Sequence, residues 1–443
     1  MKKPEKPVYT DGKYDYEKIL NELVRLNKFR DFFQIEDTEY PYYEKWKYKA
    51  KSWGIGIEKV WSAAKSYRRT KKNIYFSQKP SIQLGFSIPS VVQEYLHNLD
   101  LNLGGILQSG SLIPEQEKNR YLLSSIMEEA IASSQIEGAA TTRRIAKEML
   151  EKNQTPVNRS QQMIYNNYIT MKWIVENKDA ELTQDVLLHI HKLITCKTLD
   201  NPDFEGRYRE NNNIDVVDET NEIFYTPPSH EHIEQLIKQF LKIANDKNTQ
   251  DGFIHPLLKG ILLHFLIGYI HPFVDGNGRT ARALFYWYLI KRGYWLIEYM
   301  SVSRIILKAK AQYARAYLHT EYDDNDLTYF FIYNLKCISS ALEELKLYID
   351  RKVKEKNATI QLLKNNNFNE RQLFVLQDLL KDPDQYFTVK QIETKFAVSN
   401  QTARTDLMKL VEEGFLVQRS IGKLMTFFGV EDLDKTLRKR NSR

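Results

Sequence analysis

The chain has 443 residues, so about two to four cores are expected and a disulfide-stapled miniature is excluded. Hydrophobic residues make up 42% and charged residues 27%, with only 18 Gly and 13 Pro, which excludes a collagenous or largely disordered chain. The net charge of +7 permits nucleic-acid contact without requiring it, because basic and acidic residues are interspersed almost everywhere.

No apolar run approaches the roughly 20 residues of a spanning helix. The richest stretch, Ile261 to Ile270, is short and contains His264. The start, Met1-Lys2-Lys3-Pro4-Glu5-Lys6, leads into Tyr and Asp rather than an apolar segment, so no secretory signal is expected. Cys196 and Cys337 lie far apart and share no metal-ligand spacing, which suits a reducing compartment. A cytoplasmic protein with no membrane contact is expected.

Residues 1–85 read as an N-terminal helical region. Asp11 to Phe33 has helical periodicity through Ile19, Leu20, Leu23 and Leu26. Tyr42, Tyr43, Trp46, Tyr48, Trp53 and Trp61 precede the basic run Arg68, Arg69, Lys71 and Lys72, a mixture that could bind single-stranded nucleic acid. The tryptophans recur at seven and eight residues, however, and that spacing favours a small core.

From 86 to 355 the pattern predicts a mainly α-helical bundle. Its segments are Pro89–Leu101, Pro114–Glu137, Thr142–Asn153, Ser160–Asn177, Thr183–Cys196, Glu231–Asn245, Pro256–Ile270, Arg279–Arg292, Ser303–Thr320 and Asn325–Lys354. Between them, Ile214, Val216, Val217, Ile223, Phe224 and Tyr225 flank a polar stretch and predict a hairpin over about 212–225.

Residues 367–430 predict a further unit. Thr388 and Gln391 form a capping box ahead of a helix ending at Phe396. A second helix, Asn400 to Glu413, stops at Gly414, and strands Phe415–Arg419 and Lys423–Phe428 make a hairpin. Helix, turn, helix and hairpin resemble a winged helix, which often sets its second helix in the DNA major groove. Asn367 to Arg443 carries 13 basic and 11 acidic residues, and the end of the basic tail over 431–443, Arg438 to Arg443, supplies four of the 13. DNA binding through 388–428 therefore stays open beside protein binding or packing.

One segment carries chemistry: His271-Pro272-Phe273-Val274-Asp275-Gly276-Asn277-Gly278-Arg279-Thr280-Ala281-Arg282. A buried apolar helix ends near His271, and Gly276 and Gly278 with Asn277 favour a turn, after which a helix restarts at Arg279. The amides of that turn and the new helix's first turn predict an anion site. Arg279 and Arg282, three apart, face the same way and are placed to grip successive phosphates. Asp275 offers a hard oxygen for Mg²⁺, and His271 titrates where a general base is useful. These parts suit nucleotidyl transfer without a covalent enzyme intermediate.

The string His-x-Phe-x-Asp-Gly-Asn-Gly-Arg-x-x-Arg resembles the active-site motif of the Fic (Fido) family of AMP-transferring enzymes, matched at every fixed position. The resemblance covers roughly Phe86 to Tyr317. It implies transfer of AMP from ATP to a Ser, Thr or Tyr hydroxyl of a protein, either a separate target or this chain itself. His271 would be the general base, Phe273 the anchor of the loop, and Asp275 the Mg²⁺ ligand. Gly276, Asn277 and Gly278 would form the anion hole, Arg279 would assist the phosphates with Thr280 beside it, and Arg282 would hold the γ-phosphate. The family's hairpin flap pins the target by strand addition, a role that Ile214, Val216, Phe224 and Tyr225 fit here.

A second string, Ser133-Ser134-Gln135-Ile136-Glu137-Gly138, resembles the family's inhibitory signature, placed N-terminal to the motif on a helix over about 122–137. Ser133 and Glu137 share a helix face. Glu137 could form a bidentate ion pair with Arg282 and occupy the γ-phosphate position. Asn166 and Tyr313 could approach the adenine, although residues of each kind in such places more often serve packing. His255 and His264 have no partners at metal-ligand spacing and are assigned to structure. The same site run in reverse would remove AMP from a modified protein, and a third reading is a DNA-binding regulator with a nucleotide-sensing core. A homodimer is compatible with the resemblance.

Overall fold

Helix Pro256–Ile270 starts with Pro at its first position, where a missing amide proton costs nothing, and His255 Nδ1 accepts the Leu257 amide at 3.3 Å. It is apolar around almost its whole circumference, and Asn277–Lys291 is buried along nearly its whole length, so both are stable only inside a core. The two pack against each other at the centre of a helical bundle. Around them lie Lys118–Ile136, Arg159–Glu176, Gln184–Thr195 and Ile233–Asn245. Asn158 and Thr183 cap two of these by accepting amides at Gln161 (2.9 Å) and Val186 (3.2 Å).

This computed structural model describes residues 3–8, 12–68, 72–104, 118–217, 222–245, 252–364, 368–396, 398–421 and 424–441. The chain is mainly α-helical and divides into two compact units, Met1–Leu345 and Lys346–Arg443. No helix among the described residues is long and apolar enough to cross a membrane.

The N-terminal region lies within the first unit. The single helix expected over Asp11–Phe33 is two, Tyr16–Arg25 and Phe29–Thr38, because Asn27 between them turns through the left-handed region at φ 55°. Asp11 itself lies outside the described residues. Trp46 and Trp61 are fully buried with Phe32, and Trp53 packs on them, so the aromatic spacing encodes a core. Arg68 belongs to that core: its guanidinium bonds Glu36 at 2.7 and 2.9 Å and Tyr329 at 2.5 Å. Arg69 and Lys71 lie outside the described residues. The region is not wholly helical, since it closes with an antiparallel hairpin of Lys72–Gln78 and Ser81–Phe86. Ile74, Phe76, Ile82 and Leu84 alternate inward there, a period-two pattern too short to stand out in the sequence.

Most helices of the bundle fall where their periodicity places them; the one expected over Asn325–Lys354 is Thr328–Lys364, and two others differ in more than their ends. Ser303–Thr320 is broken at Ala309 into Val302–Lys308 and Lys310–Tyr322. The helix after the glycine turn begins at Asn277, two residues before Arg279, because Gly276 takes the left-handed N-cap position. Residues 114–117 of the expected helix Pro114–Glu137 are outside the described set.

In the second unit, Asn369 and Gln372 form a capping box on helix Glu370–Lys381. Thr388 and Gln391 do the same ahead of Val389–Phe396. Helix Asn400–Glu412 ends at Gly414, whose φ is 78°. Strands Leu416–Ile421 and Leu424–Gly429 pair antiparallel, and the latter also pairs Tyr386–Phe387. Leu376, Leu407, Leu410, Phe415 and Phe427 fill the core of this unit. The expected basic tail is largely a helix, Leu433–Asn441, which buries Leu433 and Leu437.

Candidate active site

The site forms where helix Pro256–Ile270 stops. His271 occupies its C-terminal cap in the left-handed region, φ 49° and ψ 58°, which turns the imidazole out of the helix line. Its Nδ1 donates to the Gly268 carbonyl at 3.3 Å, leaving Nε2 with a lone pair. Burial pushes its pKa below 6.5, partly opposed by the Gly268 carbonyl and by Glu137.

The loop that follows is braced from inside. Phe273 is fully buried, its ring stacked on His191 at 3.7 Å. The Asn277 side chain accepts the Phe273 amide at 3.0 Å and donates to the Phe273 carbonyl at 2.8 Å. His191 Nε2 bonds the Asp275 carbonyl at 2.9 Å while its Nδ1 accepts the Gly206 amide at 3.1 Å. Burial lowers the His191 pKa to about 4, so it stays neutral in that bridge. Gly276 has φ 83°, and a Cβ there would lie 2.9 Å from Thr195 Cγ2. Gly276→Ala should cost about 2–4 kcal/mol, the sum of left-handed strain and overpacking. Urea unfolding checks this, and a loss below about 0.5 kcal/mol would contradict the geometry.

The first amides of helix Asn277–Lys291, at Asn277, Gly278 and Arg279, have no intrahelical acceptor, and no side chain caps them. With the dipole they form an anion-binding corner. Arg279 and Arg282 do not grip it jointly. Residues three apart differ by about 60° around the axis, and here that difference separates them. Arg279 is wholly buried and turns to the Ile194 carbonyl at 3.2 Å and Asp275 at 3.4 Å. Thr280 is also fully buried, its amide on the Gly276 carbonyl and its hydroxyl without a partner among the described residues. Asn277 contributes only its backbone to the corner.

Arg282 is held by the end of helix Lys118–Ile136. Its Nε donates to Ser133 Oγ at 2.9 Å, and one Nη donates to the Ser133 carbonyl and to Glu137 Oε1, each at 2.9 Å. The expected bidentate pair is a single contact because Ser133 takes the Nε edge. Glu137 sits one residue past the helix, and its carboxylate rests against Gly278: a Cβ there would meet Glu137 Oε1 and lie 2.9 Å from its Cδ. Among the described residues Arg282 Nη1 is buried without a hydrogen-bond partner, 3.1 Å from that same Cβ position. An orphaned donor facing an amide-lined corner is what an anionic ligand would satisfy.

Asp275 is 40% exposed at its side chain, with Oδ1 on the Gly276 amide and Oδ2 3.8 Å from Arg159. Among the described residues no group of three or more His, Cys, Asp or Glu could hold a metal. A lone accessible carboxylate fits Mg²⁺ carried by phosphate oxygens, which needs only one or two protein carboxylates.

The flap is the antiparallel pair Val216–Val217 and Ile223–Tyr225, and its tip, 218–221, lies outside the described residues. Ile214, Val216 and Phe224 are half-buried. Tyr225 is not a docking side chain: its hydroxyl donates to the Tyr269 carbonyl at 2.9 Å and fastens the flap to the central helix. The exposed apolar side chains of the flap are Val217 and Ile223. Sequence reasoning missed Arg209. It is buried and bonds the His271 carbonyl at 2.9 Å, Asn211 at 2.8 Å and Pro228, tying both feet of the flap to the motif. An arginine with only carbonyl partners leaves no charge-pair signal in sequence, and His191 leaves none either.

Asn166 and Tyr313 are packing residues. Asn166 is buried on the Ile194 and Cys196 carbonyls, and the Tyr313 hydroxyl is 2.7 Å from His264 Nε2. His255 bonds Asp100 at 2.8 Å, and His264 is buried, its pKa lowered to about 3.

Residues 181–289 of this helical bundle, which include the loop, match the Fic/DOC family model. The chain is 32% identical over 117 residues to the protein adenylyltransferase Fic of Nematostella vectensis, covering 26% of this chain and 25% of that one. It is 27% identical over 124 residues to protein adenylyltransferase fic-1 of Caenorhabditis elegans, covering 27% and 22%. The matched segment thus spans about a quarter of the length of these curated relatives. The crystal structure of a Fic family protein from Desulfovibrio desulfuricans G20 superposes with a TM-score of 0.50 at 18% identity, over 76% of this chain and 96% of that one. At that identity the likeness is one of fold.

Proposed function

We infer that the protein is an adenylyltransferase that moves AMP from ATP to a hydroxyl of a protein and is restrained by Glu137. The observation that carries the reading is His271, its Nδ1 occupied and Nε2 free, beside an uncapped helix start and the orphaned Arg282 donor. His271 Nε2 takes the proton of the target hydroxyl. The hydroxyl oxygen bonds the α-phosphorus as the bond to the bridging oxygen breaks, and pyrophosphate leaves. The amides of Asn277, Gly278 and Arg279 stabilise the negative charge at the phosphates. Asp275 would hold Mg²⁺, which when bound neutralises phosphate charge. Arg282 suits the γ-phosphate once Glu137 has left, and the free edge of the flap suits an extended target segment.

ATP labelled at the α-phosphate should leave label on protein, and ATP labelled at the γ-phosphate should not. Label from the γ-phosphate alone would replace this reading with a kinase.

A second reading concerns residues 388–428, whose order of elements supports a winged helix. The helix Asn400–Glu412 exposes Gln401, Arg404, Thr405 and Lys409 and turns its internal acid, Asp406, inward onto Arg371 and Asn369. That face suits duplex DNA. A salt-dependent mobility shift of the full chain tests it, and no shift on any duplex would remove it.

A further inference from the structure

Lys310 is the first residue of helix Lys310–Tyr322. A cation there sits at the positive pole of its own helix, where acidic groups are the stabilising ones. Its ammonium serves another helix instead. Nζ donates to the Gln135 carbonyl at 2.8 Å and the Ile136 carbonyl at 3.2 Å, the last two carbonyls of Lys118–Ile136. The helix itself supplies no donor to these groups, the Gln135 carbonyl taking only the Gly138 amide just past its end, and a cation at this pole is favoured by the dipole as well as by the hydrogen bonds.

Glu137 is the next residue along the chain. The body of its helix is fixed elsewhere: Glu129 accepts Tyr286 Oη at 2.8 Å, Ser301 Oγ at 3.0 Å and the Ser303 amide at 3.0 Å, and Ser133 bonds Arg282. The final turn rests on fewer contacts. Gly138 and Ala139 amides return to Gln135 and Ser134 at 3.2 and 3.0 Å, and Gln135 Nε2 reaches the Thr141 carbonyl at 2.8 Å. Lys310 is exposed, so among these supports it is one that solvent and partners can reach.

We propose that Lys310 is a positioning residue for the inhibitory turn: its ammonium fixes residues 135–136 so that the Glu137 carboxylate stays on Arg282 and Gly278, and losing that charge raises transfer activity. The inference rests on the reading of Glu137 as a brake.

The test compares self-labelling from α-labelled ATP in wild type, Lys310→Ala, Lys310→Arg, Glu137→Gly and the Lys310→Ala/Glu137→Gly double variant. Lys310→Ala should label about two- to fivefold faster than wild type, the factor a helix-terminal charge is worth. Lys310→Arg should stay near wild type, and the double variant should match Glu137→Gly. Wild-type labelling in Lys310→Ala beside an active Glu137→Gly would overturn the proposal, as would an equal gain from Lys310→Ala in both backgrounds. If Glu137→Gly is no faster than wild type, the brake reading is what fails. Amide exchange at Gly138 and Ala139 then decides whether Lys310 fixes the turn: faster exchange in Lys310→Ala supports it, and unchanged exchange ends it.

Discussion

Replacing Glu137 with glycine is expected to raise AMP labelling of protein by about 10- to 150-fold, the factor that one charge-assisted hydrogen bond of about 1.5–3 kcal/mol would produce. The lower part of that range is favoured because the Glu137 side chain remains 27% exposed while Arg282 is 3% exposed. The change removes the carboxylate that lies on Gly278 and frees one of the two bonds of the Arg282 Nη it engages. Ser133 still holds Arg282 through Nε and the other bond of that Nη, so the guanidinium keeps its place. The measurement is label incorporation from α-labelled ATP followed by mass spectrometry. Equal labelling in both proteins would show that Glu137 is no brake. No labelling in either, with AMP released from a modified protein by the wild type, would turn the site to the reverse reaction.

Replacing His271 with alanine is expected to lower transfer by about 10²- to 10⁴-fold, the usual contribution of a positioned general base, while nucleotide binding persists. Binding should survive because the helix-start amides and Arg282 belong to other residues. Transfer at wild-type rate in the alanine variant would remove His271 from the mechanism. The pH profile gives a second reading of the same group. Burial holds its pKa below 6.5, so the base is neutral and competent at pH 7, and activity should fall only as pH drops through that lowered value. Glu137 raises the pKa of His271, so Glu137→Gly should move the acid limb to still lower pH. An acid limb at or above 6.5 in both proteins would contradict the burial.

The helical architecture was legible because its signals are local. Pro256 with the apolar run to Ile270, the helix starts at Thr183 and Thr388, and Gly414 after Asn400–Glu412 each act within a few residues. Errors gathered where one residue outweighed a period. Asn27 split the first helix, Ala309 split another, and Gly276 moved a helix start forward to Asn277. The hairpin Lys72–Phe86 was missed because its alternation is short and its inward faces acquire meaning only once something covers them.

The sequence by itself determined which residue types stand at the site and in what order, from His271 through Arg282, and that Ser133 and Glu137 lie four apart near a helix end. It also determined that Gly276, Asn277 and Gly278 would turn the chain between two helices. Only the tertiary structure decided the direction of each side chain. Arg279 and Arg282 lie on one helix, yet the first turns to Ile194 and the second to Ser133 and Glu137, because different neighbouring helices approach the two sides. Arg209, His191 and Lys310 acquire their roles from carbonyls and amides 15 to 175 residues away, as with Gly206 on His191 and Gln135 on Lys310. Backbone groups are the same at every position of a chain, so no residue pattern marks which of them a side chain will meet.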